Sequence, residues 1–311
     1  MALQKKLLVT GGLGHIGSRL IREVTQDVSE VHILDNLSSE RYVSLFDLPA
    51  QRRYRFTQAD IMTADLERHL EGVDAVIHLA AVTNAEATVG KEEETERINF
   101  DGLVRVAEAC KKANVALLFP STTSVYGSQE AVVDETCTEL RPQSPYATAK
   151  RKAEEYLMAQ RKEGLRFVTC RFGTIFGWSP GIRFHTAVNK FIWQAMTSQP
   201  ITVWKTAWEQ KRPYLDLGDC VRAVNFIIEH ELFDGEIYNV VTKNYTVKDI
   251  VGTIKEFVPT IEVAYVDSKI MNQLSYEVLA DKIAAKGFLP AGDLRRGIEE
   301  TIGKLQGIAQ A

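Results

Sequence analysis

Leu7-Leu8-Val9-Thr10-Gly11-Gly12-Leu13-Gly14-His15-Ile16-Gly17 reads as a buried apolar strand, a glycine-rich turn and the first residues of a helix. Gly11, Gly14 and Gly17 fall three residues apart. In such a turn the first glycine permits the tight bend and the second lets the backbone approach a pyrophosphate. The third lets the helix pack closely on the strand. The helix then aims its free N–H groups and positive dipole end at the phosphates, with His15 and Ile16 in its first turn. A strand-to-helix bend that binds nothing has the same spelling, so the decision falls to the residues after the turn.

Those residues form a second apolar strand, Val31-His32-Ile33-Leu34, closed by Asp35-Asn36. A carboxylate at that place accepts hydrogen bonds from the adenosine ribose and repels a 2′-phosphate, which favours NAD over NADP. Farther on, residues 52–58 alternate as a third strand before Ala59-Asp60-Ile61. Asp60 suits either an adenine contact or a turn cap. Ala75-Val76-Ile77-His78-Leu79 is a fourth strand closed by Ala80-Ala81, and Ala116-Leu117-Leu118-Phe119 and Phe167-Val168-Thr169-Cys170 are two more. Helical spacing of apolar residues predicts helices over 18–28, 66–70, 92–113 and 146–162. Strands alternating with helices imply crossover connections and a parallel sheet covered on both faces. Ligands then bind beyond the strand C-termini, where the polar residues just named collect.

Beyond Arg171 the character changes. Residues 173–184 read as a loop rich in Gly, Pro and aromatics. A helix over 187–197 and a strand at 201–204 come next. Residues 219–241 return to the helix-strand pattern, and short elements with a helix after Gly292 complete the chain. The expected architecture is therefore α/β, a doubly wound parallel sheet with a smaller interleaved α/β lobe. The first unit comprises 1–172 plus 213–241, and the second comprises 173–212 plus 242–311.

The 311 residues, 45% apolar and 25% charged, are those of an ordinary globular protein with a sizeable core. A net charge of −4 implies no nucleic-acid or anionic-membrane partner. No apolar run is long enough to span a membrane, and Lys5-Lys6 leads into the glycine turn rather than a signal-peptide core. Cys110, Cys137, Cys170 and Cys220 are scattered, which suggests reduced cytoplasmic thiols and no metal site.

The chemistry is concentrated in Tyr146-Ala147-Thr148-Ala149-Lys150, preceded by Pro145 at a helix start. Positions i and i+4 share a helix face. A Lys ammonium beside a phenol lowers the phenol's pKa from about 10, so that the phenolate serves as a general base. The same Lys150 suits the nicotinamide ribose. Ser121-Thr122-Thr123-Ser124-Val125-Tyr126-Gly127, at the end of a strand, supplies hydroxyls for the same substrate oxygen or for local backbone groups.

Together these stretches resemble the extended short-chain dehydrogenase/reductases, in particular the NAD-dependent nucleotide-sugar epimerases and dehydratases, over nearly the whole chain. The resemblance rests on residues 10–17, Asp35-Asn36-Leu37-Ser38, Ala59-Asp60-Ile61, His78-Leu79-Ala80-Ala81, Asn99, residues 121–127, Pro145 to Lys150 and Arg212 to Asp219. It implies a Rossmann-type sheet holding NAD, with Gly11, Gly14, His15, Ile16, Gly17, Asp35, Asn36, Asp60, Ile61, Leu79, Ala80, Ala81, Asn99 and Lys150 around the cofactor. It implies Tyr146 as base, Lys150 as its partner and Thr122 as the triad hydroxyl, which fits the register better than Ser124. UDP-glucose 4-epimerase looks most similar. The related 4,6-dehydratases follow the active Thr with Asp and Glu, where this chain has Thr123 and Ser124. A 4-keto reductase would consume reduced cofactor, and a non-catalytic NAD-sensing regulator would lack the Tyr or Lys that are both present.

For the nucleotide-diphosphate sugar, the resemblance points to Thr83, Thr122, Thr123, Tyr146, Thr174, Asn189, Trp204 and Arg212. Arg212 suits a diphosphate because its fork is planar and always charged, although a surface pair with Asp216 is the alternative. Trp204 suits a stacked base or a core position. Two departures stand out. Thr174 replaces the family's usual Asn, and the run Asp267 to Tyr276 lacks the late phosphate-binding Arg. Helices over 92–113 and 146–162 match the pair that forms a homodimer interface in the family.

Overall fold

The computed structural model describes residues 4–127, 129, 132–267 and 276–307. In chain order its strands are β1 (Lys5–Thr10), β2 (Val28–Asp35), β3 (Arg53–Gln58), β4 (Ala75–His78), β5 (Ala116–Thr122), β6 (Val132–Val133) and β7 (Phe167–Phe172). They continue with β8 (Thr174–Phe176), β9 (Ile201–Trp204), β10 (Lys211–Asp216), β11 (Ile237–Val240), β12 (Lys243–Thr246), β13 (Val263–Val266) and β14 (Glu277–Val278). Seven of them form one parallel sheet in the order β11-β7-β5-β4-β1-β2-β3. The strand order reverses between β1 and β4, and a crevice opens there at their C-terminal ends. β4, β5 and β7 are buried along their whole length, as strands covered on both faces must be.

One apolar layer joins α1 (His15–Glu23) to one face of the sheet, through Leu20 and Ile21 against Val9 and Ile33. Leu103, Val106 and Cys110 cover the other face, with Ala153 and Leu157 of the helix that starts at Pro145 beside them. A third cluster unites the helices at 187–196, 247–257 and 294–305 with β9 and Tyr214 of β10. The three-stranded sheet β12-β10-β8 carries that cluster's side of the crevice.

Three expectations need correction. Helix α1 stops at Glu23, because Val24 turns extended, and Val28 begins β2 rather than ending a helix. The stretch at 173–184 is not all loop, since Thr174–Phe176 pairs in parallel with Tyr214–Asp216. The helix expected over 92–113 carries one π turn, Arg97–Asp101, between two α segments. Residues 268–275, most of the run without arginine, lie outside the described residues.

Candidate active site

The three glycines of the first turn have different roles. Gly11 has φ +65°, and a side chain there would meet the Ala80 backbone at 2.6 Å, so β1 and β4 close together only over a glycine. At Gly17 a side chain would meet Gly12 at 2.6 Å, which sets how tightly α1 folds back on the turn. Gly14 is the extended N-cap of α1 and offers no side-chain cap to the first-turn N–H groups. It lines the crevice, a cavity of about 900 Å³. An uncapped helix N-terminus opening into a cavity over a backbone without side chains fits the diphosphate of a dinucleotide.

Asp35 lies on the same wall. Its carboxylate accepts from Leu13 N at 3.1 Å and Leu37 N at 2.9 Å, which ties the end of β2 to the glycine turn. Asp60 both caps a turn, accepting from Met62 N at 2.8 Å, and lines the cavity, where Asn36 Nδ2 donates to it at 3.0 Å. These bonds hold its carboxyl below the usual range. His15, Ile16, Ile61, Leu79, Ala80 and Ala81 also line the cavity. Asn99 does not. It is buried in the π turn, and its amide takes both polar groups of Val82 at 2.8 Å, so it fixes the segment after Ala81 from behind.

Opposite the glycine turn runs the helix Pro145–Gln160, started by Pro145 and capped by Ser144 Oγ, which accepts from Ala147 N at 3.2 Å. Tyr146 and Lys150 face the cavity from it, and Thr122 faces it from the end of β5. The Thr122 hydroxyl favours the charged form of the Tyr146 phenol, against burial. Ser124 also lines the cavity, and its backbone N–H donates to Thr122 Oγ1 at 3.1 Å. Lys150 Nζ donates to Pro120 O at 2.7 Å and lies 4.4 Å from the centre of the Phe119 ring. Burial pushes its pKa down to about 7, against the pull of Glu154 one turn along the helix.

Burial raises the Tyr146 pKa above its ordinary value, and the Arg183 guanidinium and the Thr122 hydroxyl oppose this. The Lys150 ammonium is turned onto the Pro120 carbonyl. Arg183 donates to Thr83 Oγ1 from a loop that crosses the glycine turn. In that loop Gly181 N donates to Ser18 Oγ at 2.9 Å, and the Gly181 backbone leaves no room for a side chain above Leu13 and Gly14. Arg183, Arg41 and His185 all line the same cavity. Burial and the two arginines push His185 down to about 4. Sequence pattern alone does not reveal these three, which stand in loops without periodicity.

Thr83, Thr174, Trp204 and Arg212 line the cavity too, so Trp204 is a wall residue rather than a core one. Thr123 and Asn189 are buried off that wall. Asn189 braces the Arg183 loop, accepting from Gly177 N at 3.1 Å and donating to Arg183 O at 3.2 Å. Asp216 caps the helix Leu217–Glu229 through Gly218 N and Asp219 N instead of serving Arg212. Tyr214 and Tyr276, absent from the expected set, flank Arg212. Among the described residues no cluster of His, Cys, Asp and Glu could hold a metal ion, and no helix is long and apolar enough to cross a membrane.

Comparison with known proteins gives the same neighbourhood. Residues 7–240 match the sequence model of the NAD dependent epimerase/dehydratase family. An uncharacterized UDP-glucose epimerase of Bacillus subtilis (strain 168), YtcB, is 30% identical over 318 residues, covering 98% of this chain and 99% of the relative. The UDP-N-acetylglucosamine 4-epimerase of Methanobrevibacter ruminantium M1, solved with UDP-N-acetylmuramic acid, superposes with a TM-score of 0.86 at 26% identity, covering 97% of this chain and 99% of the other. The UDP-glucose 4-epimerase of Thermus thermophilus, solved with NAD, gives 0.84 at 26% identity, covering 98% of this chain and 100% of the other.

Proposed function

Because the chain belongs to the NAD-dependent epimerase/dehydratase family, we propose that it inverts C4 of a nucleotide-diphosphate sugar through a transient 4-keto sugar. The observation that carries this reading is one cavity lined by the Thr122 hydroxyl, the Tyr146 phenol and Lys150 together with the glycine turn and Arg212. The groups that would hold NAD are the α1 N-terminus, Asp35 and the Leu79–Ala81 backbone, with Lys150 at the nicotinamide ribose. Bound NAD supplies a reversible hydride acceptor. The chain's own residues do the rest. Tyr146, as phenolate, takes the C4 hydroxyl proton and returns it once the keto sugar has presented its other face. Thr122 bonds the same oxygen and steers the proton. Arg212 and Trp204 hold the diphosphate and the base while the sugar turns.

Thr123 and Ser124 support epimerisation over dehydration. Water elimination needs an acid and a base after the active threonine, and neither residue supplies a carboxylate. We further propose that residues 173–212 and 242–311 act as the substrate lobe. A homodimer through the helices at 92–113 and 146–160, which already pack side by side through Lys152–Glu96 at 2.6 Å, completes the reading. The test is incubation of the purified protein with UDP-, dTDP-, GDP- and CDP-hexoses and pentoses without added cofactor, with products resolved by NMR. A C4 epimer from one nucleotide class is expected. A 4-keto-6-deoxy product would replace this reading with dehydration.

A further inference from the structure

The run before Glu277 holds no arginine, yet it delivers a residue to the cavity. Tyr276 is buried to 7% exposure and lines the cavity together with Arg212. Its backbone N–H donates to Lys211 O at 3.3 Å, which lays it along the strand that carries Arg212. The Arg212 guanidinium stands 4.9 Å from the centre of the Tyr276 ring, and the phenol favours its charged form. The Tyr276 hydroxyl in turn donates to Thr123 O at 3.3 Å. Thr123 directly follows the triad threonine. One phenol therefore joins the cation at the substrate end of the cleft to the backbone that holds Thr122.

We propose that Tyr276 is a positioning residue for substrate: it aims the Arg212 guanidinium at the diphosphate and sets its distance from the Thr122 hydroxyl. The inference rests on the reading of Arg212 as the diphosphate grip. Arginine is a long side chain whose free rotation would cost affinity on binding. A phenol ring against it limits that freedom without neutralising its charge, as a carboxylate would. Tyr276 thus adds order to the cation already present rather than a second charge. The hydroxyl's bond to Thr123 makes that order relevant to chemistry, because the diphosphate and the C4 hydroxyl belong to one substrate and must be held at one spacing.

The experiment is binding of UDP, dTDP and GDP by titration calorimetry to the NAD-loaded wild type, Tyr276→Phe, Arg212→Ala and the double variant. Tyr276→Phe keeps the ring and removes the hydroxyl, with its bond to Thr123 O and its pull on the guanidinium. For the nucleoside diphosphate that the wild type binds, Tyr276→Phe is expected to weaken affinity about tenfold, the order of one hydrogen bond to a charged group. In the Arg212→Ala background the same change is expected to have no further effect, since the phenol acts through the guanidinium. With substrate, KM should rise more than kcat falls. Affinity unchanged in Tyr276→Phe, or an equal loss with and without Arg212, overturns the proposal. A wild type that keeps NAD but binds none of the three overturns the reading of Arg212 on which it rests.

Discussion

The Lys150 ammonium donates to the Pro120 carbonyl at 2.7 Å, two residues before Thr122 on the same strand. The lysine is thereby held by β5 and is not free to follow the phenol. Its surroundings are the Phe119 ring, a buried His78 pushed down to about 3, and Glu154, whose carboxylate also accepts from Arg171 at 2.7 Å and Ser121 Oγ at 2.5 Å. Burial makes the ammonium costly, and Glu154 opposes that cost. Lys150 therefore loses its proton as pH rises through about 7, well below the 10.5 of a free lysine. If the charged form holds the cofactor ribose, turnover falls on the alkaline side of that value. Glu154→Gln should move this limb to lower pH by about one unit. A pH profile of kcat checks it, and an unmoved limb would show that Glu154 serves only to pair Arg171.

Stability responds to the same titration with the opposite sign. Below pH 7 the lysine is charged in both the folded and unfolded chain, and burial of that charge is a full penalty. Between about 7 and 10.5 the unfolded chain binds more protons, so the penalty is relieved as pH rises. Lys150→Met should raise the melting temperature near pH 6 while abolishing turnover. Thermal unfolding of both proteins at pH 6 and pH 9 measures this, and the stabilisation should be smaller at pH 9.

Arg183 is the cation that acts on the buried Tyr146 phenol. Removing it leaves only the Thr122 hydroxyl to oppose the upward push of burial, so less phenolate is present at a given pH. Arg183→Met should shift the acid limb of kcat upward by about one unit and lower the rate near neutrality about tenfold. Arg183→Lys should recover part of both. The NAD content of the purified protein, measured after acid release, distinguishes this from a lost cofactor contact.

Asp35 ties β2 to the glycine turn through Leu13 and Leu37 while facing the cavity. Asp35→Asn keeps an acceptor for one of those bonds and removes the charge. NAD affinity should fall about tenfold, and discrimination against NADP should fall with it, because the 2′-phosphate no longer meets a carboxylate. Fluorescence titration with both dinucleotides reads the ratio. An unchanged ratio would remove Asp35 as a determinant of cofactor choice.

The sheet and half of the site are readable in the sequence because their signals are local. The glycine spacing, the apolar strands and the Tyr146–Lys150 step along one helix are each written within a dozen residues. The π turn at 97–101 is not readable there; it holds Asn99 against Val82, a contact across the chain. Strand β8 is three residues long and becomes a strand only through its pairing with Tyr214–Asp216. Arg183 and Tyr276 reach the cavity from loops far apart in sequence, so no period marks them. The direction of the Lys150 ammonium is hidden for a similar reason. Helical spacing puts both on one face, but the Pro120 carbonyl decides where the ammonium points.

In the proposed cycle both the proton taken by Tyr146 and the hydride taken from C4 go back to the sugar, so the cofactor would end each turnover as it began. The most direct measurement is to follow the nucleotide sugar that the protein accepts by NMR and absorbance at the reduced-nicotinamide band together, using protein with its own NAD and none added. Wild type should accumulate the C4 epimer over many turnovers with no net absorbance change. Tyr146→Phe should keep its NAD and lose turnover by at least about a hundredfold. Product formed one for one with oxidation or reduction of nicotinamide, or a Tyr146→Phe protein as active as wild type, would contradict that cycle.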